Sequence, residues 1–425
     1  MIVESVTQTS KRNPQINQVS RGDMPVHQWY RFVLSFPPHL VRDYISEFKK
    51  ENESFVLDPF CGTGTVLVES KKLSQPSAGI EFHPMTHFAS TVKTNWRVKP
   101  DRLMNDAELI GKKAETKYKQ VKNFYTLGAK QEELLLANSI CKLPLHKLLI
   151  LRDLIGEISD QSTRGHLLLA LAKVAVGKAS NLHFCPEVGV KGRKEDADVF
   201  GFWLAEVLLM AEDIGEARQF SNVPALALRG DSRTPDILKP TMNREVGLVI
   251  TSPPYPNEKD YTRTTRLESV LLRFINSREE LRNVKRGLIK SNSRTVYKGD
   301  TDHEKVAHLK KITALAKKIE DKRIELGKTS GFEKQYAKVV LQYFGGMARQ
   351  LESVKPYLKR GAHLAYVVGD QASFFRIMIR TGEILKDIAQ DLGYEHVRTD
   401  LFRERIATAT GDFLREEVLI LKWPK

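Results

Sequence analysis

The chain has 425 residues, 41% of them hydrophobic, which is enough for a large core and two or three structural units. Its 67 Lys and Arg residues outnumber its 52 Asp and Glu residues, and the net charge of +15 favours a polyanionic partner. Three cysteines argue against a disulfide-rich secreted scaffold, and no apolar run approaches the roughly 20 residues of a membrane-spanning helix, so we expect a cytoplasmic protein.

The N-terminal segment, residues 1–23, is polar and lacks the apolar stretch of a secretion signal, so it is predicted to be a flexible arm. Residues 27–38 follow with three aromatic side chains and then the run Ser35–Pro38, which is typical of a hydrophobic helix leading into a proline turn. The aromatic residues are Trp29, Tyr30 and Phe32.

The first predicted unit is a strand, a glycine-bearing loop and a helix. The apolar run Phe55–Leu57 precedes the loop Asp58–Thr65, and Val66–Lys72 has a helical pattern. Gly62 and Gly64 allow positive φ and close backbone approach, while the start of the helix aims free amides at any occupant of the loop. Adenosine-containing cofactors bind such loops, although a tight turn without a ligand also needs glycine.

Acidic residues follow two further predicted strands. Glu81 ends the apolar stretch Ala78–Ile80 and lies 17 residues after Gly64, close to the spacing of about 20 between a glycine loop and a ribose-binding acid. Asp231 follows the predicted strand Ala225–Leu228 and could hold an adenine amine. Each acid alone also fits a surface or capping carboxylate, but together with the loop they favour a cofactor site.

Residues 99–221 form a segment too long and too regular for a crossover loop. Its helical patterns are Gln131–Leu136, His146–Ile155, Arg164–Val176 and Phe200–Ala217. We predict a helical insert. Its loop at residues 181–197, which contains Glu187, Lys191, Arg193 and Lys194, either faces the substrate for target recognition or belongs to a packing or dimer surface.

The tetrad Ser252, Pro253, Pro254 and Tyr255 follows the apolar run Val246–Ile250. The two prolines fix φ and remove two backbone donors, so mostly acceptor oxygens remain. The Ser252 hydroxyl and the Pro253 carbonyl could each accept one hydrogen of an exocyclic amine, while the Tyr255 ring offers a planar base a stacking face. The four residues alone fit an ordinary proline turn equally well.

A second insert, residues 276–334, carries 16 Lys or Arg residues against 9 Asp or Glu residues. Within it, Glu304–Leu326 has helical spacing with lysines on the other face, as in a DNA-backbone contact or an ordinary solvated helix. A helix at Gln335–Val354 and strands at Ala362–Val368 and Val418–Leu421 complete the chain. Strands separated by helices predict an α/β fold with a mostly parallel sheet.

The two loops together resemble the amino-methyltransferases that use S-adenosylmethionine, most closely the DNA cytosine-N4 methyltransferases. Their catalytic motif is Ser-Pro-Pro-Tyr, whereas the adenine-N6 relatives usually carry Asp or Asn where this chain has Ser252. The loop Asp58–Thr65 matches the family's Asp-Pro-Phe-x-Gly-x-Gly pattern at each fixed position. Residues 27–38 look like the extra N-terminal element of the family's cofactor pocket.

The resemblance implies a Rossmann-like methyltransferase fold, with helices on both faces of the sheet, built from residues 24–98, 222–275 and 335–425. The implied catalytic residues are Ser252, Pro253, Pro254 and Tyr255, and the implied cofactor-binding residues are Asp58, Pro59, Phe60, Gly62, Gly64, Glu81 and Asp231. Either insert could recognise the target sequence.

The implied reaction is methyl transfer to cytosine N4 in double-stranded DNA by direct attack on the methyl group, after base flipping and without a metal ion. Carbon-5 enzymes use a thiolate in a Pro-Cys setting, which Cys61, Cys141 and Cys185 do not have. Adenine N6 and an amine of RNA are alternative targets, and a non-catalytic nucleic-acid-binding module is a remote alternative. A cognate restriction endonuclease could accompany the enzyme, and the sequence predicts no oligomeric state.

Overall fold

The computed structural model describes residues 20–30, 36–48, 54–184, 187–239, 245–406, 411 and 413–425. Predictions for residues 1–19, Phe32, Ser35 and Cys185 lie outside the described residues. Residues 20–23, which we assigned to the flexible arm, instead include the short 3₁₀ helix Arg21–Asp23, capped by Ser20, and Asp23 pairs with Arg42.

Strands and helices alternate along the described chain. The strands are β1 (Phe55–Asp58), β2 (Ser77–Glu81), β3 (Leu182–Phe184), β4 (Val188–Val190), β5 (Ala225–Arg229), β6 (Val246–Thr251), β7 (Leu358–Gly369), β8 (Glu395–Ile406) and β9 (Phe413–Lys422). The helices are α1 (Pro38–Phe48), α2 (Thr65–Lys72), α3 (Pro84–Lys93), α4 (Pro100–Gln120), α5 (Ala129–Glu132), α6 (Lys142–Gly156), α7 (Gln161–Val174), α8 (Val199–Ala217), α9 (Tyr261–Thr264), α10 (Arg266–Leu271), α11 (Arg278–Gly287), α12 (Lys310–Glu325), α13 (Tyr336–Val354) and α14 (Thr381–Asp391).

Among the described residues, seven strands form one sheet in the order β5-β2-β1-β6-β7-β9-β8. The first five strands in this order pair in parallel, whereas β9 runs antiparallel to both β7 and β8. The chain builds outward from β1 through β2 to β5 and then returns to lay β6 on the other side of β1. The topological switch point therefore lies between β1 and β6, where open α/β sheets bind ligands at the carboxyl ends of their strands.

Helices cover both faces of this sheet, which confirms the predicted Rossmann-like α/β class. Leu248 and Ile250 of β6 pack with α1 and α2 on one face, and Val249 packs with α13 and α14 on the other. A strand buried on both faces needs apolar residues at consecutive positions, which explains why β6 reads as a continuous apolar run.

The predicted strands are confirmed, whereas three structural features were missed. Helix α4 is mostly polar, and its buried residues are only Leu103, Ala107, Ile110 and Ala114. Strand β8 lies at the sheet edge and has only four apolar residues among charged and polar ones, and the hairpin β3–β4 is very short. No described helix combines the length and the apolar character that crossing a lipid bilayer requires.

Two predicted helices have different bounds in the structure. The pattern at Gln131–Leu136 corresponds to the four-residue helix α5, which ends at Glu132. The pattern at Glu304–Leu326 begins with a 3₁₀ helix at Asp302–Val306, and the α-helix begins only at Lys310.

The helical insert shares its core with the rest of the protein. Its buried side chains form one cluster with Trp29, with Met85 of α3 and with Val270 of α10. The buried Asp213 of α8 accepts hydrogen bonds from Trp29 Nε1 at 2.7 Å and from the Val26 amide at 2.8 Å. The segment around Trp29 therefore fixes the insert beside the sheet.

Replacing Asp213 with Ala should lower the free energy of unfolding by about 2 kcal/mol, because two buried donors lose a charged acceptor. Urea unfolding followed by tryptophan fluorescence measures the change. Glu212→Ala removes an exposed carboxylate from the same helix and should have little effect. Equal stabilities of the two variants would contradict the anchoring role of Asp213.

Candidate active site

Both predicted loops line one cleft of about 640 Å³ at the carboxyl ends of β1, β2 and β6, a volume within the usual range for small-molecule sites. Gly62 and Glu81 contribute to one part of its wall, and the tetrad at residues 252–255 contributes to another. The loops meet because β1 and β6 are neighbours at the switch point.

The glycine-bearing loop has the backbone conformation that its sequence predicts. Gly62 and Gly64 have φ values of 50° and 85°. The Gly62 amide donates to Glu81 Oε2 at 2.9 Å. A Cβ atom on Gly64 would lie 3.0 Å from Ser90 Cβ, so this glycine permits close packing of α2 against α3, whereas Gly62 lines the cleft.

Asp58 lies beneath the loop, and its neighbours Pro59 and Phe60 line the cleft. One carboxylate oxygen accepts hydrogen bonds from Thr251 Oγ1 at 2.6 Å and from the Phe60 amide at 3.0 Å. Burial raises the pKa of Asp58 to about 7. The residue thus ties the end of β1 to the end of β6, and direct cofactor contact by Asp58 stays a prediction.

Of the three acids that the sequence predicts as cofactor-binding residues, Glu81 is the one that lines the cleft. Its carboxylate accepts hydrogen bonds from the Gly62 amide at 2.9 Å and from the His83 amide at 2.7 Å. Burial raises its pKa to about 7 in spite of these bonds. Glu81 is therefore held in one orientation at the place that the sequence predicts for a ribose-binding acid.

Asp231 lies off the cleft wall, although Gly230 and Ser232 line it. Arg233 donates to the Asp231 carboxylate from Nη2 at 2.7 Å, and its Nη1 donates to Asp302 at 2.5 Å. This buried Arg233 connects the end of β5 to the second insert. The adenine-binding role of Asp231 stays a prediction.

The tetrad leaves the sheet at the end of β6, beside the end of β7. A Cβ atom on Gly369 would lie 3.1 Å from Tyr255 Cε2, so this glycine makes room for the tyrosine ring. The amide of Asn257 donates to the carbonyl oxygens of Tyr255 and Ser291, both at 2.9 Å. The end of β7 and the segment at Ser291 therefore both help to hold the tetrad in place.

The residues just after the tetrad form a buried network. Asp260 accepts hydrogen bonds from the Thr262 amide at 3.0 Å and from Lys285 Nζ at 2.7 Å. Burial opposes its ionisation, yet the Lys285 ammonium group helps to keep the pKa of Asp260 below its ordinary value. The Arg266 side chain donates to Thr262 and to the Leu134 carbonyl.

The sequence did not predict that the second insert forms part of the cleft wall. Residues 287–289, 291, 292 and 295 line the cleft. A Cβ atom on Gly287 would lie 2.1 Å from the Phe82 ring, so the ring lies directly on the backbone at the end of α11. The only sequence signal for this contact is a glycine at the end of a charged helix.

The segment at residues 27–38 is divided between two environments. Trp29 and Tyr30 are buried in the core, and Tyr30 donates a hydrogen bond to the buried Glu268, whereas Phe36 and Pro37 line the cleft. Among the described residues of this segment the predicted hydrophobic helix is wrong at its start, since residues 27–29 form a 3₁₀ helix, and the α-helix α1 begins only at Pro38.

Comparisons with known proteins show two likenesses. The family model described as DNA methylase, of the N6/N4 group, matches residues 4–89, which include the glycine-bearing loop and Glu81 but not the tetrad. The chain is also 30% identical over 292 residues to the Type II methyltransferase M.BsoBI of Geobacillus stearothermophilus. This match covers 64% of the present chain and 57% of that protein, so the chain spans just over half the length of this relative.

The cofactor that the sequence resemblance implies is S-adenosylmethionine. Replacing Gly287 with Ala should weaken its binding by about tenfold or more, because the added methyl group displaces the Phe82 ring from the cleft wall. Calorimetric titration measures the affinity. Gly331→Ala is the matched control in the same insert, because no atom lies within 4 Å of its Cβ position. Unchanged affinity in Gly287→Ala would show that this wall does not touch the cofactor.

The affinity for S-adenosylmethionine should also depend on the ionisation of Glu81. Its pKa is raised to about 7, so the fraction in the charged form, which accepts hydrogen bonds and attracts a cation, rises between pH 6 and pH 8. One-proton linkage predicts an increase in affinity of about tenfold over this interval. In Glu81→Gln the rise in affinity between pH 6 and pH 8 should disappear. Identical pH profiles of affinity for wild type and Glu81→Gln would contradict the role of Glu81 in cofactor binding.

Proposed function

We propose that this protein is a site-specific DNA methyltransferase that transfers a methyl group from S-adenosylmethionine to the N4 amine of cytosine. The observation that carries the proposal is the single cleft lined by the glycine-bearing loop and by the tetrad at residues 252–255. A cofactor bound at the glycine-bearing loop would have its methyl group within reach of a base bound at the tetrad. The likeness to DNA methylases supports the same assignment.

The residues at and beside the glycine-bearing loop suit the proposed cofactor. The Glu81 carboxylate can accept hydrogen bonds from ribose hydroxyl groups, and the Phe82 ring provides an apolar wall for a planar base. Pro59, Phe60 and Gly62 provide the loop that faces the remainder of the molecule. When bound, S-adenosylmethionine supplies an electrophilic methyl group on a positively charged sulfur.

The tetrad supplies the groups that act on the target amine. The amine lone pair of cytosine is delocalised into the ring, so the nitrogen is a poor nucleophile. The Ser252 hydroxyl and the Pro253 carbonyl draw the two amine hydrogens out of the ring plane, which returns the lone pair to nitrogen. Tyr255 stacks on the base and Pro254 fixes the turn, so positioning provides most of the catalysis.

Double-stranded DNA must be contacted outside the cleft, because the target base has to leave the helix to enter it. The hairpin β3–β4 is our preferred contact, since Glu187 lines the cleft and the exposed Lys191 and Arg193 follow β4. Helix α12 is less suitable, because none of its residues lines the cleft and four of its cations form ion pairs with acids of the same protein, as Lys311 does with Asp387. The helical insert is therefore the proposed target-recognition element.

Incubation with labelled S-adenosylmethionine and unmodified DNA, followed by digestion to nucleosides, should yield N4-methylcytosine. N6-methyladenine as the sole product, or labelling of RNA alone, would replace the substrate assignment and leave the cofactor assignment intact. No labelled nucleoside from DNA or RNA would favour the non-catalytic binding module.

Ser252→Ala should reduce turnover at least about tenfold and leave the affinity for S-adenosylmethionine nearly unchanged, because the cofactor is held by other residues. Ser353→Ala is the matched control, since the Ser353 hydroxyl donates to the Gln350 carbonyl within α13. A parallel loss of turnover and cofactor affinity in Ser252→Ala would contradict this division of roles.

A further inference from the structure

We infer that Gln371 is a base-binding residue, whose side-chain amide donates a hydrogen bond to the ring nitrogen beside the target amine. That nitrogen is N3 in cytosine and N1 in adenine, so the inference holds for either base. It rests on the proposed function, because it needs an amino base in the cleft beside Tyr255.

Gln371 lies beside the tetrad because of the pairing of β6 with β7. The two strands pair in parallel up to Thr251 and Tyr366. Beyond this point the tetrad leaves the sheet, whereas β7 continues beside it to Gly369, two residues before Gln371. Tyr255 Cε2 and Gln371 Nε2 lie 3.1 Å and 3.6 Å from the Cβ position that Gly369 lacks. The amide and the proposed stacking ring therefore occupy the same part of the cleft wall.

Hydrogen bonds determine which end of the Gln371 amide is available. Asn257 Nδ2 donates to Gln371 Oε1 at 3.4 Å, and Gln371 Nε2 donates to the Gly369 carbonyl at 3.3 Å. An amide nitrogen carries two hydrogens, and the second one has no acceptor among the residues that the structure describes. Both existing bonds are long, so a ligand can compete for this group with little loss.

The backbone around Gln371 is fixed. Its amide donates to the Ile379 carbonyl at 3.1 Å, and the Ile379 amide donates back at 2.7 Å. The enclosed loop holds Phe375 and Arg376 at φ values of 52° and 61°, a conformation that costs free energy in residues other than glycine. Ser373 of the same loop also lines the cleft. The fold thus maintains a strained loop that presents Gln371 and Ser373 to the site.

A donor at this place completes the recognition of an amino base. In cytosine and adenine the carbon that bears the amine has a neighbouring ring nitrogen that accepts a hydrogen bond. In thymine, and at the edge of guanine that carries O6 and N1, the matching ring nitrogen carries a hydrogen, which would clash with the hydrogen that Gln371 donates. Ser252 and Pro253 as acceptors, together with Gln371 as donor, therefore select an amine beside an acceptor.

The experiment pairs a protein change with the removal of the ring acceptor. Unmodified DNA duplexes that contain the target sequence are synthesised in two forms. In one form the target base is natural. In the other it is replaced by 3-deazacytosine or, for an adenine target, by 1-deazaadenine. Values of kcat/KM are measured for wild type, Gln371→Ala and Gln371→Met. The ratio of natural to deaza substrate should fall about tenfold from wild type to either variant, because only wild type can use the acceptor. Comparing ratios removes the effect of the deaza substitution on amine reactivity.

The affinity for S-adenosylmethionine should be the same in wild type and both variants. Gln390→Ala, an exposed change on α14, should keep the wild-type ratio. Equal ratios in wild type and the Gln371 variants would refute the inference and leave the proposed function standing. If wild type methylates no amino base at all, the proposed function fails and the inference fails with it.

Discussion

The architecture of the site depends on the buried hydrogen bond between Thr251 Oγ1 and the Asp58 carboxylate. It joins the last residues of β1 and β6, the two strands that flank the switch point, so the two functional loops leave the sheet from fixed neighbouring positions. Asp58 remains buried although burial raises its pKa to about 7. Burying this carboxyl group costs free energy, and the group lies at the position that sets the spacing of the two loops.

Close approach of chain segments shapes the rest of the cleft. Gly287 lets the Phe82 ring rest on the second insert, and Gly369 lets the Tyr255 ring lie at the end of β7. In both places a side chain would occupy the volume that an aromatic ring now fills. The cleft wall is therefore assembled from segments far apart in sequence, which explains how an insert at residues 276–334 can belong to the site.

Local patterns in the sequence predict the parts of this protein that are determined locally. The run Val246–Ile250 predicts β6 because a strand buried on both faces is apolar throughout, and the loop around Gly62 requires positive φ. The Arg233–Asp302 pair and the contact between Gly287 and Phe82 depend on tertiary packing, which no local pattern encodes. Strand β8 escaped prediction because an edge strand exposes charged residues that interrupt its apolar pattern.

Charge is distributed unevenly between the cleft and the rest of the protein. The protein carries a net charge of +15, yet acidic residues outnumber Lys and Arg among the residues that line the cleft. These acids are Glu81, Glu187, Glu258, Asp260 and Glu416, and the cations are Lys259 and Arg403. For the proposed function, this excess of acids would favour a sulfonium cation over phosphate groups inside the cleft, whereas the net positive charge of the whole protein would favour the DNA backbone. This distribution would let a neutral base enter the cleft while its phosphates remain at the rim, as the proposed methylation of a flipped base requires.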